Sequence, residues 1–377
     1  MIRKMYDIVI IGAGINGCSV ANEFLREKKN VLILDKDGIA SGGSGAAGAF
    51  ISPKFSKAGE LKAVIEEAFL YSMEYYEKYF NEHFTKAQLL HIAKDEVEES
   101  TLRVFKEKTS LPLKEVDEKV KASLTQAAHS REYVSLDAGV VDAKIMCQEM
   151  IKGAKFLRHK VENIVYEDGY WLIDETYAAK ELVLATGAYK SLLNEPYIEL
   201  RGVWGHRIDV TTTTRNPYSI HQFVSISPNS GNKLAIGATH NVHYHPETSR
   251  EPYNVEEGRR ELLEKASRTI NLSDVEIVKD YMGLRSGSFD YMPLVGPLVL
   301  SSETLQCCKK KIRVKKPDFK EFVYYPNLYM INGSGGYGFV LAPYLARILK
   351  EHIIGAQEIS ETLSPARFFA RWAKKLS

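Results

Sequence analysis

Tyr6-Asp7-Ile8-Val9-Ile10-Ile11-Gly12-Ala13-Gly14-Ile15-Asn16-Gly17 is the stretch whose reading decides the fold. The apolar run Ile8 to Ile11 has the composition of a strand buried on both faces. It breaks at Gly12-x-Gly14-x-x-Gly17 and resumes at helical spacing through Ala21, Phe24 and Leu25. The first glycine permits a tight turn, the second admits a pyrophosphate against the backbone, and the third lets helix pack on strand. The helix start then offers free N–H groups and the positive end of its dipole to phosphate. A second apolar strand, Val31-Leu32-Ile33-Leu34, ends at Asp35, placed to accept hydrogen bonds from a ribose, with Lys36 next to it. Strand, glycine turn, helix, strand and terminal acid together predict a dinucleotide-binding unit. Gly12, Gly14, Ile15, Asn16, Gly17, Asp35 and Lys36 are its expected ligand contacts.

A chain of 377 residues is long enough for two domains with separate cores. At 45% apolar and 26% charged it has an ordinary globular composition, and a net charge of +2 excludes a polycation. Any nucleic-acid contact must therefore come from a local patch. Cys18, Cys147, Cys307 and Cys308 form no C-x-x-C pair, which argues against a disulfide framework or zinc site and fits a reducing cytoplasm. Met1-Ile2-Arg3-Lys4 and the apolar run after it superficially imitate a lipoprotein signal. Asp7 interrupts that run, and the glycines fall at nucleotide-loop spacing, so a first strand is expected instead. No segment approaches the length of a membrane span, and a cytoplasmic protein without membrane contact is expected.

Beyond Asp35, the small-residue run 41–49 brings backbone close to something flat or phosphorylated, with Ser41, Gly42, Ser44, Ala47 and Gly48 as expected contacts. Residues 60–80 carry an apolar face at helical spacing, and 85–130 read as a cap of short strands and helices. Asp142 is placed to cap a following helix. Residues 156–164 alternate like a strand, Asp168-Gly169 supplies a hairpin turn, and Glu181 to Leu184 reads as a buried strand ending in Ala185-Thr186-Gly187. Residues 198–245 are strand-rich and a helix is expected over 255–270. Near the end, Leu328 to Ile331 runs into Gly333-x-Gly335-Gly336-Tyr337-Gly338 and a helix from Val340, whose N-terminus suits a ring that gains negative charge. The fold class predicted is α/β: a Rossmann-type dinucleotide domain, interrupted in sequence (1–80, 135–195 and 283–377), plus an α+β antiparallel-sheet substrate domain (81–134 and 196–282). Residues 301–325 are expected to form a basic insertion loop.

This order of motifs resembles the FAD-dependent D-amino-acid oxidase family, which also holds glycine and sarcosine oxidases. The resemblance rests on the first glycine motif with Asp35, the 41–49 run, the strand at Val161 and Ala185-Thr186-Gly187. It continues through Gly283-x-Arg285, Asp290-x-x-Pro293-x-x-Gly296 and the last glycine turn. It implies extended FAD, with Asp35 on the ribose, Val161 backbone near the adenine, and Ala185, Thr186, Gly187, Gly335, Gly336, Tyr337 and Gly338 along the cofactor. Within the family the chain is most similar to the oxidase half of bifunctional enzymes that modify the tRNA wobble uridine. Three features carry that: Pro293-Leu294-Val295-Gly296 followed by a long insertion, Gly205-His206 after Trp204, and Ser44-Gly45 leading to Pro53. The first strand begins almost at residue 1, so the chain is expected to lack the methyltransferase half, which leaves room for a separate methyltransferase partner.

What the resemblance implies is a flavin oxidation of a carboxymethylaminomethyl group on uridine, releasing glyoxylate, with O2 or another electron acceptor reoxidising the cofactor. The alternative is oxidation of free glycine, sarcosine or a D-amino acid. Arg285 is the expected grip on the substrate carboxylate, since a planar guanidinium matches it bidentately. Tyr337 is a second candidate for substrate contact. His240-x-x-His243-x-His245 raises no expectation of a metal, and His206 is expected to be a hydrogen-bonded structural residue. Lys309, Lys310, Lys311, Arg313, Lys315 and Lys316 form the one strongly basic stretch, suited to the phosphates of tRNA, with Arg367, Arg371, Lys374 and Lys375 of a C-terminal helix as an extension.

Overall fold

Ile8, Val9 and Ile10 are wholly buried in β1 (Lys4–Ile11), because this strand is paired on both edges and covered on both faces. The structure is a computed structural model that describes residues 4–189, 192–314 and 317–376, with the side chains of 308–314 outside the description. Two compact units emerge, and each is assembled from several pieces of the chain.

The first unit comprises Met1–Ser41, Cys147–Gly202 and Arg285–Ser377. After β1 come α1 (Ile15–Arg26) and β2 (Val31–Asp35); the chain returns later with β6 (Lys155–Arg158), β7 (Ile164–Glu167), β8 (Tyr170–Ile173) and β9 (Tyr177–Leu184). The last segment supplies β15 (Leu294–Val299), α8 (Ser301–Val314), β16 (Tyr324–Asn332), α9 (Gly338–Gly355) and α10 (Ala366–Lys375). Strand order is β15-β16-β9-β1-β2-β6, with β7 and β8 attached to β9. β1 runs parallel to β2 and β9, and β2 to β6, as the βαβ reading requires. On one face Tyr6, Val9, Leu32, Leu34 and Leu182 pack with Phe368 and Phe369 of α10. Each such aliphatic side chain contributes roughly 1.5–3 kcal/mol on full burial.

Two expectations for this unit change. The strand expected over 156–164 is two strands, because Asp174 Oδ1 takes the N–H groups of Glu162 (3.1 Å) and Asn163 (2.8 Å) and turns the chain between them. The hairpin turn does form: Asp168 and Gly169 have φ of 52° and 85°, the pair of left-handed residues a two-residue turn needs. The expected basic loop at 301–325 is largely helix. From Ser301 to Val314 no glycine or proline interrupts α8, and Pro317 follows its end. Lys315 and Lys316 lie outside the described residues.

The second unit comprises Gly42–Met146 and Val203–Leu284. It holds β3 (Phe50–Ile51), α2 (Glu60–Phe80), β4 (Phe84–Ile92), α3 (Glu96–Lys108), α4 (Glu118–Ser123), α5 (Gln126–His129) and β5 (Tyr133–Val141). After the first unit's middle segment it resumes with β10 (Leu200–Thr211), β11 (Ser219–His221), β12 (Ser225–Ile226), β13 (Lys233–Gly237), α7 (Val255–Ser267) and β14 (Glu276–Ser288). The linking helix α6 (Ala143–Met150) is capped by Asp142, whose Oδ1 accepts from the N–H groups of Lys144 and Ile145. Strand order is β14-β10-β13-β12-β11-β4-β5-β3. Strict alternation makes the sheet two-faced: Leu90, Ile208, Val210, Ile220 and Ile236 pack on Leu262 and Ala266 of α7. Residues 42–80 and 135–146 were expected among the dinucleotide segments, yet they pack here. The reason is pairing: Phe50 and Ile51 bond to Val140 and Gly139, and α2 lies on β3 and β4.

The motif Asp290-x-x-Pro293 has a structural role. Arg367 of α10 forks onto Asp290, Nε to Oδ2 at 2.8 Å and Nη2 to Oδ1 at 3.1 Å, and also donates to the Met292 carbonyl. Arg371 lies 3.5 Å from the centre of the Phe289 ring. Arg367 is therefore engaged within the unit, while Arg371 stays exposed. Against the cost of burial, the Arg367 fork lowers the Asp290 pKa. A depressed pKa adds stability that is present above the unfolded carboxylate's value near 4 and is lost as pH falls through the folded one. Replacing Arg367 by Ala is expected to cost about 2 kcal/mol in urea unfolding at pH 7, less than a fully buried pair because both groups keep some exposure. The gap between wild type and variant should close as the pH drops below about 4.

Candidate active site

Three pieces of backbone meet at the first glycine turn. A Cβ on Gly12, which has φ of +111°, would stand 2.2 Å from the Ala185 carbonyl oxygen; one on Gly17 would stand 1.9 Å from that of Gly12. Neither position accepts any side chain. Asp35 then fastens the turn: Oδ2 accepts from the Ala13 N–H at 2.8 Å, and Oδ1 from the N–H groups of Asp37 and Gly38, both at 2.9 Å. The Ser41 hydroxyl is 3.4 Å from Oδ1. A carboxylate has about four lone-pair sites, so Asp35 can hold the loop and still accept from a ligand hydroxyl. Gly14 precedes α1 with no side-chain cap and no acid in the first turn, so its dipole end faces no side-chain anion.

The last glycine turn joins the first. A Cβ on Gly338 would meet Ile15 Cγ2 at 3.2 Å, Ser334 Oγ lies 3.1 Å from Asn16 Oδ1, and α9 packs on α1. Gly335 and Gly336 have no neighbour within 4 Å of an added Cβ, so backbone faces open space there. A 3₁₀ turn over Gly335–Tyr337 opens α9, again with no side-chain cap and no acid. Asn332, fully buried, connects everything around this turn. Its Nδ2 donates to the Gly187 carbonyl at 3.0 Å, while Oδ1 accepts from Ser286 Oγ at 2.7 Å and from the Gly333 N–H at 2.9 Å. Ala185-Thr186-Gly187, the strand bearing Arg285 and the last glycine turn thus share one amide.

Arg285 is half-buried, and burial alone lowers its pKa without removing its charge at neutral pH. Burial pushes the half-buried Tyr337 hydroxyl up to about 12, so it stays protonated and able to donate. Lys36 lies with its ammonium 4.1 Å from the centre of the Tyr189 ring. Val161 is buried among Tyr6, Leu32 and Ile173.

In the second unit, Ser44 and its neighbours form consecutive turns, the Gly45 N–H donating to Gly42 and that of Ala47 to Ser44. Two residues that sequence reasoning did not assign to this loop shape it. A Cβ on Gly283 would press within 2.8 Å of the Gly42 carbonyl oxygen, and Arg207 Nη1 donates to the Ala47 carbonyl at 2.5 Å. The guanidinium of Arg207 also covers the Tyr281 ring at 3.9 Å. Asn332 was missed as well, because a single polar residue at a strand end carries no pattern. His206 has no exposure and holds Asp280 at 2.9 Å, with Arg259 on the same carboxylate. It is the structural histidine expected. Among the described residues no cluster of His, Cys, Asp and Glu is arranged to hold a metal, and no helix is long and apolar enough to cross a membrane.

A largely parallel sheet with two glycine-turn helices that lack side-chain caps and an acid closing the first turn has the form of a dinucleotide-binding unit. The chain belongs to the DAO family of FAD dependent oxidoreductases, whose model matches residues 7–352, and FAD is its cofactor. Curated relatives include the tRNA 5-methylaminomethyl-2-thiouridine biosynthesis bifunctional protein MnmC of Legionella pneumophila (strain Philadelphia 1). It is 24% identical over 386 residues, covering 96% of this chain and 57% of that protein. The chain thus spans little more than half the length of that relative. Glycine oxidase of Bacillus subtilis (strain 168) is 23% identical, covering 78% of this chain and 85% of the enzyme. Among solved structures, glycine oxidase from Geobacillus kaustophilus shares the fold with a TM-score of 0.75 at 19% identity, over 97% of this chain and 98% of that one. The site residues fit FAD: the close approaches at Gly12 and Gly17 bring backbone rather than side chains to the turn where a pyrophosphate would lie, and Gly335 and Gly336 leave open space for a ring.

Gly17→Ala is expected to yield protein without bound flavin, since its methyl group would overlap the Gly12 carbonyl; absorbance of the purified chain checks this. Asn332→Ala should retain flavin more weakly, by tenfold or more in its dissociation constant, because three buried polar groups lose their partner at once.

Proposed function

We propose that this chain oxidises the C–N bond of a glycine-like secondary amine carried on tRNA, 5-carboxymethylaminomethyl-uridine at the wobble position. The products are 5-aminomethyl-uridine and glyoxylate. The observation that carries the reading is a 24% identical match to a tRNA-modifying bifunctional protein over 96% of this chain, a span far longer than the glycine turns.

Bound FAD supplies the two-electron acceptor for the C–H bond beside the amine. The chain's own residues bind and orient. Arg285 faces the carboxylate as a planar donor pair and fixes which carbon is presented. Asn332 holds the strand after Arg285 against the Gly187 turn and the last glycine turn, tying the carboxylate grip to two of the segments proposed to meet the cofactor. Tyr337, protonated throughout the working range, donates a hydrogen bond at the cofactor turn. The neutral amine loses two electrons and one proton from its carbon, as a hydride, to become an iminium ion, and water then splits that ion into the protonated primary amine and the aldehyde acid. An amine that binds neutral needs no protein base. Reoxidation takes O2 or another acceptor. Lys309, Lys310, Lys311 and Arg313, in the segment that forms α8, are the cations proposed for the tRNA backbone, and a methyltransferase is the partner proposed to act on the primary amine.

Oxidation of free glycine or sarcosine is the second reading, supported by a glycine oxidase relative that this chain matches over 85% of its length. Anaerobic bleaching of the flavin band separates the two. Carboxymethylaminomethyl-bearing tRNA is expected to bleach it rapidly, with glycine and sarcosine slow; the reverse order would establish the small-amine enzyme. Arg285→Lys should raise the half-saturating substrate concentration about 100-fold, the loss of one bidentate pair worth about 3 kcal/mol. Replacing Lys309, Lys310 and Lys311 by Ala should weaken tRNA binding and flatten its dependence on log salt by about 2–3. An unchanged slope would detach α8 from the phosphates.

A further inference from the structure

The sheet of the second unit has a polar face opposite its apolar one. Ile220 of β11 packs with α7, so Ser219 and His221 on either side of it point to the opposite face. β11 runs parallel to β4 with His221 level with His91, placing both rings on that face. Three buried atoms there have no hydrogen-bond partner among the described residues: Ser219 Oγ, His221 Nε2 and His91 Nδ1. Ser219 is only 1% exposed. Buried polar atoms are almost always satisfied, and three on adjacent strands of one face call for a common partner.

The walls say what that partner is. Phe50 meets the His221 ring edge-on at 4.9 Å and Phe55 stacks on His91 at 4.3 Å, so the surroundings are flat and aromatic. Burial, then the charges of His91 and Lys94, lowers the His221 pKa to about 3, which keeps that ring neutral. His91 Nε2 lies 3.2 Å from the Glu98 carboxylate, which occupies that nitrogen and leaves Nδ1 for another partner. A neutral imidazole, a second imidazole nitrogen and a hydroxyl carry no fixed charge for a carboxylate or a phosphate. They suit an uncharged planar group that offers both N–H and C=O.

We propose that Ser219, His221 and His91, between the rings of Phe50 and Phe55, form a slot that recognises the uracil base bearing the amine. This deepens the tRNA reading and rests on it for the identity of the base. The slot would make the enzyme selective for a nucleoside-borne amine over a free one, because leaving its buried polar atoms unpaired disfavours a substrate that lacks the base.

The test measures uridine binding to the FAD-loaded full chain by equilibrium dialysis, with wild type, His221→Phe and Ser219→Ala. Phenylalanine keeps the ring and removes its nitrogens; the serine change is small enough to preserve the fold if the first is not tolerated. Retained flavin absorbance and melting temperature report folding. The wild type is expected to bind uridine and each variant to bind at least tenfold more weakly. No binding by the wild type, or equal binding by folded variants, overturns the slot. The readout is independent of turnover. Bleaching by modified tRNA with uridine binding unaffected by the variants removes the slot and keeps the function. Uridine binding lost in the variants, with modified tRNA inert, keeps the slot and removes the function.

Discussion

Everything in the first unit depends on backbone approaching backbone at Gly12. With the Ala185 carbonyl oxygen 2.2 Å from where a Cβ would stand, β1 and β9 must end together and the chain must turn without a side chain. No side chain caps the following helix, and Asp35 closes the turn by taking three backbone donors itself. A site of this kind is preorganised by subtraction: glycines remove side chains, and a carboxylate holds what remains.

Asn332 extends that constraint across the unit. Its amide reaches the Gly187 turn, the Ser286 hydroxyl beside Arg285 and the N–H of Gly333, so three segments distant in sequence are fixed relative to one another. Buried amides with all partners present specify geometry more than they add stability, since each hydrogen bond replaces one to water. The same distinction separates Asp290 from a catalytic acid. It lies in a family-like motif, yet both of its oxygens are held by Arg367, and its task is to seat α10. The second unit distributes its chemistry differently. One face of its sheet is aliphatic and packed on α7; the other carries histidine, serine and arginine. Alternation along a strand is enough to separate a core from a recognition surface, and no special loop is needed.

Much of this was legible in the amino-acid order. The strand at Ile8, the glycine spacing, the acid at 35, the hairpin at Asp168-Gly169 and the cap at Asp142 are local signals, each set by backbone sterics or by one hydrogen bond within a few residues. The misread places share a different cause. The strand expected through 159–163 is interrupted by Asp174, a residue beyond the next hairpin turn. Residues 42–80 and 135–146 pack with the second unit because Phe50 and Ile51 pair with a strand some 90 residues further on. The basic stretch after Ser301 reads as a loop by its charge, but charge does not oppose helix formation where no glycine or proline breaks it.

The sequence by itself therefore determined the cofactor cradle, since glycine conformation and hydrophobic period are properties of neighbouring residues. Tertiary structure alone decided which polar groups are spoken for. Arg367 and His206 are taken up by carboxylates, Asn332 by three partners, while Ser219, His221 and His91 are gathered from two strands with their polar atoms facing one side. Hydrogen-bond satisfaction is a property of the assembled interior, where a donor and its acceptor stand hundreds of residues apart in the chain and about 3 Å apart in space.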